Sequence, residues 1–230
     1  MTERLYYNDP SSREFDATVV RAERSGDRLA IWLDRSAFYP TTGGQPFDTG
    51  RLGALRVVDV AEDEDGDVMH LAEGIDPPAA GAAVHGVVDW PRRLDHMQQH
   101  SGQHVLSAAL VRVCKAKTVS FHLGSEVSTI DLERVVTPQE LAAAEDAANQ
   151  VVWDDRPVSI SYRDAEAAAD LPLRKPSLRS GTLRLIDIEN WDLSACGGTH
   201  VARTGEIGRI ECIKIENKGK MNRRFVIALA

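Results

Sequence analysis

Apolar and polar positions change their rhythm near residue 90. Between about residues 15 and 90 they fall into short runs separated by turn residues. Residues 16–23 and 28–33 flank Ser25-Gly26-Asp27, which predicts a hairpin. Residues 54–60 and 68–71 flank an acidic run whose Asp65-Gly66 is a strong turn pair. Residues 83–89 read as a further strand, closed by Trp90-Pro91. Short strands at this spacing predict a small β-barrel.

Beyond Pro91, Leu94, Met97, Val105, Ala108, Ala109 and Val113 recur at helical spacing and predict an amphipathic helix over about 92–115. Strands are expected at 118–123 and 126–132. Thr137-Pro138-Gln139-Glu140 is a capping box with proline at the first helical position, opening a helix to about residue 153. A strand at 157–162, a short helix at 164–170 and strands at 183–189, 207–216 and 223–229 complete the chain. Strands mixed with few helices, without βαβ alternation, predict an α+β fold. The expected organisation is a β-barrel over 1–90, then an α+β domain over 91–230.

Composition narrows the class. The 43% hydrophobic and 27% charged content of the 230 residues is that of a globular protein. No apolar run approaches the roughly 20 residues of a membrane helix, and the polar start lacks the apolar centre of a signal peptide. A cytoplasmic protein is expected. Its three cysteines, Cys114, Cys196 and Cys212, are odd in number and widely spaced, which suits a reducing compartment. A net charge of −8 argues against unspecific grip on nucleic acid. Basic residues nevertheless cluster locally, as Arg92 and Arg93 and as Lys214, Lys218, Lys220, Arg223 and Arg224.

The candidate chemistry lies in two spacings. Residues four apart on a helix share a face, so His100 and His104 can turn both imidazoles to one point. Cys196-Gly197-Gly198-Thr199-His200 repeats the spacing with a thiol, and its two glycines let the segment bend. Nitrogen and sulfur donors suit Zn2+ better than calcium or magnesium. His96 is also four residues from His100, but eight residues of helix span about 12 Å, too far for all three to bind one ion. Spacing alone leaves the choice of pair open, and equally whether zinc is catalytic or structural. The HExxH pattern of zinc peptidases is absent. Phe38-Tyr39-Pro40-Thr41-Thr42-Gly43-Gly44-Gln45-Pro46-Phe47-Asp48-Thr49-Gly50 is glycine-rich and permits positive φ or close approach of a ligand.

Taken together, residues 100–104 (HSGQH), 196–200 (CGGTH) and 38–50, with 88–93 (VDWPRR) and 121–124 (FHLG), resemble the free-standing alanyl-tRNA editing proteins, the AlaX family. They also resemble the editing domain of alanyl-tRNA synthetase, and the length is similar to that of the mid-sized AlaX members. The resemblance implies zinc held by His100, His104, Cys196 and His200, with His96 not a ligand. It implies hydrolysis of the ester of alanine tRNA mischarged with serine, and in some members glycine, so that tRNA is the partner. Thr41, Thr42, Gly43, Gly44 and Gln45 are expected to bind the aminoacyl group, with Thr41 or Thr42 and Gln45 reading the serine hydroxyl. Arg92, Arg93, Lys218, Lys220, Arg223 and Arg224 are expected to meet tRNA phosphates. Gln103, His96 and His122 are the candidates for a general base, and monomer and homodimer both remain open. The rival readings are an inactive zinc-stabilised tRNA-binding module, ester hydrolysis by Gly43-Gly44-Gln45 as in peptide-release factors, and a zinc amidase of small substrates.

Overall fold

A computed structural model describes residues 1–124, 127–177, 180–218 and 222–229. The chain divides into two compact units, Met1–His96 and Met97–Ala230, so the division falls inside the first helix rather than at residue 90.

In the first unit β1 (Glu3–Arg4) pairs in parallel with β4 (Arg35–Ser36). The strands β2 (Glu14–Ser25), β3 (Arg28–Leu33), β5 (Gly50–Leu52), β6 (Leu55–Glu62), β7 (Val68–Glu73) and β8 (Ala83–Val88) close a barrel in the order β2-β3-β7-β6-β5-β8. The expected barrel is therefore present. β1, β4 and β5 were not foreseen, because two or three residues are too few for an alternation to show. Along β2 the alternation sends Phe15, Ala17 and Val19 inward, where they meet Leu29, Ile31, Val57 and Val68 in one core. Gly86 on β8 sits under Phe15: a Cβ there would lie 2.3 Å from the ring.

His70 packs against that core through Phe38, with ring centroids 5.5 Å apart. His70, fully buried, lies 2.7 Å from Ser36 Oγ through Nε2, while its Nδ1 donates to Ile31 O at 3.0 Å. Burial pushes its pKa down to about 4 from the ordinary 6.5. Above pH 6.5 the ring is neutral whether folded or not. Below it the unfolded chain takes up a proton that the barrel refuses, so stability falls until about pH 4, by about 3 kcal/mol in all. His70→Asn should lack this part of the acid loss in urea titrations between pH 7 and 4. An unchanged pH dependence would refute the assignment.

The second unit begins within α1 (Trp90–Cys114), followed by β9 (Thr118–His122), β10 (Ser128–Leu132), α2 (Pro138–Trp153), β11 (Val158–Asp164), α3 (Ala165–Ala168), β12 (Thr182–Ile188), β13 (Asp192–Ala195), β14 (Ile210–Lys218) and β15 (Asn222–Leu229). One antiparallel sheet runs β14-β15-β10-β9 and a smaller one β11-β12-β13. The predicted start of the second strand at Glu126 lies outside the described residues. α2 carries the foreseen capping box, with Glu140 N donating to Thr137 Oγ1 and Thr137 N to Glu140 Oε2. It grips β14 through Asn149, whose side chain accepts from Ile210 N (2.8 Å) and donates to Ile210 O (2.9 Å).

The amphipathic expectation for α1 is corrected. Every residue from Gln99 to Leu110 is buried, while Val113, assigned to the apolar face, is 42% exposed. A helix covered all round normally has apolar residues all round. This one instead satisfies its polar side chains with protein partners: Gln99 donates to Gly124 O at 3.0 Å and accepts from Ser128. Gly102 allows close packing, since a Cβ there would lie 3.2 Å from Ile207 and 3.3 Å from Leu229. Cys114 is buried as expected of a small apolar residue, whereas Cys212 is only half-buried.

Candidate metal centre

Two elements build the centre. α1 presents His100 and His104 with ring centroids 5.3 Å apart. The hairpin β12–β13 delivers the bend 196–200 at its end, where His200 lies 4.4 Å from the His100 ring and 4.7 Å from that of His104. The bend is held from beneath by Arg184 on β12. Its Nη1 donates to Cys196 O (2.8 Å) and Gly198 O (2.9 Å), and its carbonyl accepts from Cys196 N at 3.0 Å. Gly198 N in turn donates to the Cys196 sulfur at 3.4 Å.

Cys196 Sγ lies 3.5 Å from His100 Nε2 and 3.4 Å from His200 Nε2. One donor atom from each of His100, His104, Cys196 and His200 lies within 4.8 Å of all the others. Around a tetrahedral zinc, nitrogen and sulfur ligands stand about 3.5 Å apart, so the two sulfur contacts match and the cluster as a whole is slightly open. These four residues can hold a metal ion.

Their surroundings prepare them as donors. Burial opposes a thiolate at Cys196, but the imidazoles of His100 and His200 pull its pKa well below the ordinary thiol value. Burial, reinforced by His100, pushes His200 down to about 3 and keeps it neutral. His200 Nδ1 lies 3.1 Å from Ser101 Oγ, which also accepts from Val201 N. With Nε2 turned toward the cluster, the Nδ1–H is the donor. His104 Nδ1 lies 3.0 Å from Asp192 Oδ2, while Asp192 accepts from Arg174 Nε (2.7 Å) and Ser194 Oγ (2.9 Å). Burial disfavours the carboxylate, yet the bond from His104 and the nearby Arg174 charge hold Asp192 at about 2. A thiolate at Cys196, a neutral His200, and outer hydrogen bonds that fix the rings of His104 and His200 suit a borderline divalent metal.

Over its whole length the chain is 37% identical to the alanyl-tRNA editing protein AlaX-M of Methanosarcina acetivorans, a match covering 99% of that protein. The chain belongs to the AlaX family of alanyl-tRNA editing proteins. It is also 34% identical to AlaX-L of Pyrococcus horikoshii, across 96% of this chain and 56% of that one. With the alanine–tRNA ligase of Thermococcus kodakarensis it shares 38% identity over 94% of its own residues but 24% of the ligase. Residues 183–226 match the family described as the threonyl and alanyl tRNA synthetase second additional domain, a stretch that includes Cys196 and His200.

Other candidates of this AlaX protein fall elsewhere. His96 is buried one turn before His100 and is not part of the four-residue cluster. On β9, Phe121 faces His100 with centroids 5.5 Å apart, and its neighbour His122 is exposed on the other face. Gln103 is buried on α1, and a neutral amide takes up no proton near pH 7. In the barrel unit, Thr42 and Gln45 exchange both backbone hydrogen bonds around Gly43 (φ 57°) and Gly44 (φ 86°), a two-residue turn with two positive φ values. Thr41 is exposed and its hydroxyl accepts from Phe47 N, whereas Gln45 is fully buried.

Arg93 is corrected most firmly. It is fully buried, with Nε bonded to both oxygens of Asp48, Nη2 to Asp48 and Ala37 O, and Nη1 to Pro10 O. It has no surface left for a phosphate. Arg224 makes a two-pronged pair with Asp131, both bonds 2.8 Å, which neutralises it. Arg92 is half-buried and donates to Phe47 O. Lys220 and the side chains of Lys218 and Arg223 lie outside the described residues.

Sequence reading missed Asp192, Arg174 and Arg184, because no local spacing marks residues that act on a ligand from other strands. Losing the outer hydrogen bond of a metal-binding histidine costs about 10- to 100-fold in metal affinity. Asp192→Ala should weaken divalent-metal binding by that factor in competition with a chromogenic chelator. An affinity equal to wild type would exclude Asp192 as the group that orients His104.

Proposed function

We propose that this AlaX protein is a zinc-dependent aminoacyl-tRNA deacylase that removes serine, with glycine as a second substrate, from mischarged alanine tRNA in the cytoplasm. The observation that carries the reading is the four-donor cluster of His100, His104, Cys196 and His200 in a chain whose relatives are alanyl-tRNA editing proteins. Among the described residues no helix is long and apolar enough to cross a membrane.

Zinc, when bound there, supplies Lewis-acid polarisation of an oxygen placed beside it. The chain itself does the rest by placement. An aminoacyl ester is already activated, so holding it with its carbonyl near backbone donors lowers the remaining barrier. The Gly43-Gly44 turn offers backbone close to a ligand without side chains in the way. Thr41 and Thr42 offer hydroxyls for the serine side chain. Serine-selective hydrolysis answers a real difficulty, because a synthetase site built for alanine cannot strongly reject a residue with one extra hydroxyl, and a second hydrolytic site must select on that group.

Deacylation of Ser-, Gly- and Ala-charged alanine tRNA, with and without chelator, tests the proposal. Serine should be released with alanine spared, and chelation or His104→Ala should stop it. Binding of seryl-tRNA without release would instead favour the inactive zinc-stabilised module. Thr41→Val or Thr42→Val should lower the serine-over-alanine preference about tenfold, the value of one buried hydrogen bond. If neither moves it, the glycine-rich turn does not read the serine.

A further inference from the structure

The proposed function leaves the buried side chain of Gln103 unused. Gln103 is 3% exposed, and its Nε2 donates to Ser107 Oγ at 2.7 Å, which lies 2.8 Å from Thr118 Oγ1. Its Oε1 is buried with no hydrogen-bond partner among the described residues. Buried polar atoms are nearly always paired, and one left over calls for a reason. The place of this one is informative. On α1, Gln103 stands three residues after His100 and four before Ser107, so it lies one helical turn along the face that carries His100 of the metal cluster.

We propose that Gln103 is a specificity-determining residue, its side-chain amide hydrogen-bonding the hydroxyl of the substrate's serine. This rests on the deacylase reading above. The chemistry selects the partner. The Ser107–Thr118 hydroxyl pair anchors one end of the amide, and whichever way the amide is turned, one polar atom remains over. An ammonium suits only an acceptor and an ester carbonyl only a donor. A hydroxyl is both and satisfies either orientation. Alanine would bring a methyl group against the same buried atom and leave it unpaired, a loss of about 10- to 100-fold. Glycine has no side chain to read and gains nothing from Gln103.

The experiment compares kcat/KM for Ser- and Gly-charged alanine tRNA in wild type, Gln103→Met and Ser107→Ala, with zinc content and circular dichroism of each. For Gln103→Met the serine-to-glycine ratio should fall about 10- to 100-fold with zinc content unchanged. An equal fall on both substrates would assign the amide to water or ribose and overturn the inference, as would an unchanged ratio. Should Gln103→Met lose its fold or metal, Ser107→Ala decides. It keeps the amide but frees its anchor, and the ratio should fall several-fold; an unchanged ratio overturns the inference. Wild type that releases no serine defeats the deacylase reading itself, an outcome distinct from wild type that does so while Gln103→Met keeps its preference.

Discussion

Cys196→Ala is expected to lower zinc affinity by at least about a thousandfold and to abolish editing. Structural zinc sites bind with about 10–16 kcal/mol, and Cys196 is the one member of the four-residue cluster that can donate as an anion. Two neighbouring imidazoles hold its pKa well below the ordinary thiol range against the effect of burial. Without it three imidazoles remain buried around one point, and protonating any of them becomes the competing outcome. The bend also loosens, because Gly198 N loses its acceptor. Binding energy of a metal is folding energy for the segment that carries the ligands, so thermal unfolding of the variant should begin lower than in wild type. Cobalt substitution supplies the direct readout, since the thiolate charge-transfer band must vanish in Cys196→Ala. One tightly held zinc per chain in that variant would show that the bend is not part of the site.

Arg93→Ala is expected to destabilise the barrel unit by about 3–5 kcal/mol, the range for breaking one side of a buried ion pair. Asp48 is fully buried and would keep only the bond from Tyr39 N, at 2.6 Å, besides its backbone contacts. The carbonyls of Pro10 and Ala37 would lose their donor as well. Urea titration of both variants measures this, and the paired replacement Arg93→Met with Asp48→Leu should recover most of the loss, because it leaves no charge behind. Zinc content should stay at the wild-type level, as the four donors lie in the other unit. A loss under about 1 kcal/mol would return Arg93 to the surface, where a phosphate contact again becomes reasonable.

The two arginines that open α1 show how far a basic pair can mislead. Arg92 and Arg93 are neighbours in sequence and differ by about 100° around the helix. One rests half-buried beside Phe47 and the other is enclosed with Asp48, forty-five residues away in sequence. Charge counting cannot separate them. The amphipathic pattern failed on α1 for a related reason: Gln99, Ser101, His104 and Ser107 look like a solvated face until Ser128, His200, Asp192 and Thr118 are found to replace water around that helix.

Local chemistry determined much by itself. The turn at Gly43-Gly44, the capping box at Thr137, the barrel alternation along β2 and the donor spacing of His100 with His104 and Cys196 with His200 all rest on forces acting over a few residues, and all were legible. Tertiary structure decided which histidine pair meets the distant bend, that Asp192 holds His104 and Ser101 holds His200, and that Arg93 is a buried strut. The physical reason is distance along the chain. Asp192 reaches His104 across 88 residues through the β12–β13 register, and Ser101 reaches His200 across 99. A pairing set by sheet register and closed away from water leaves no period in the sequence to read.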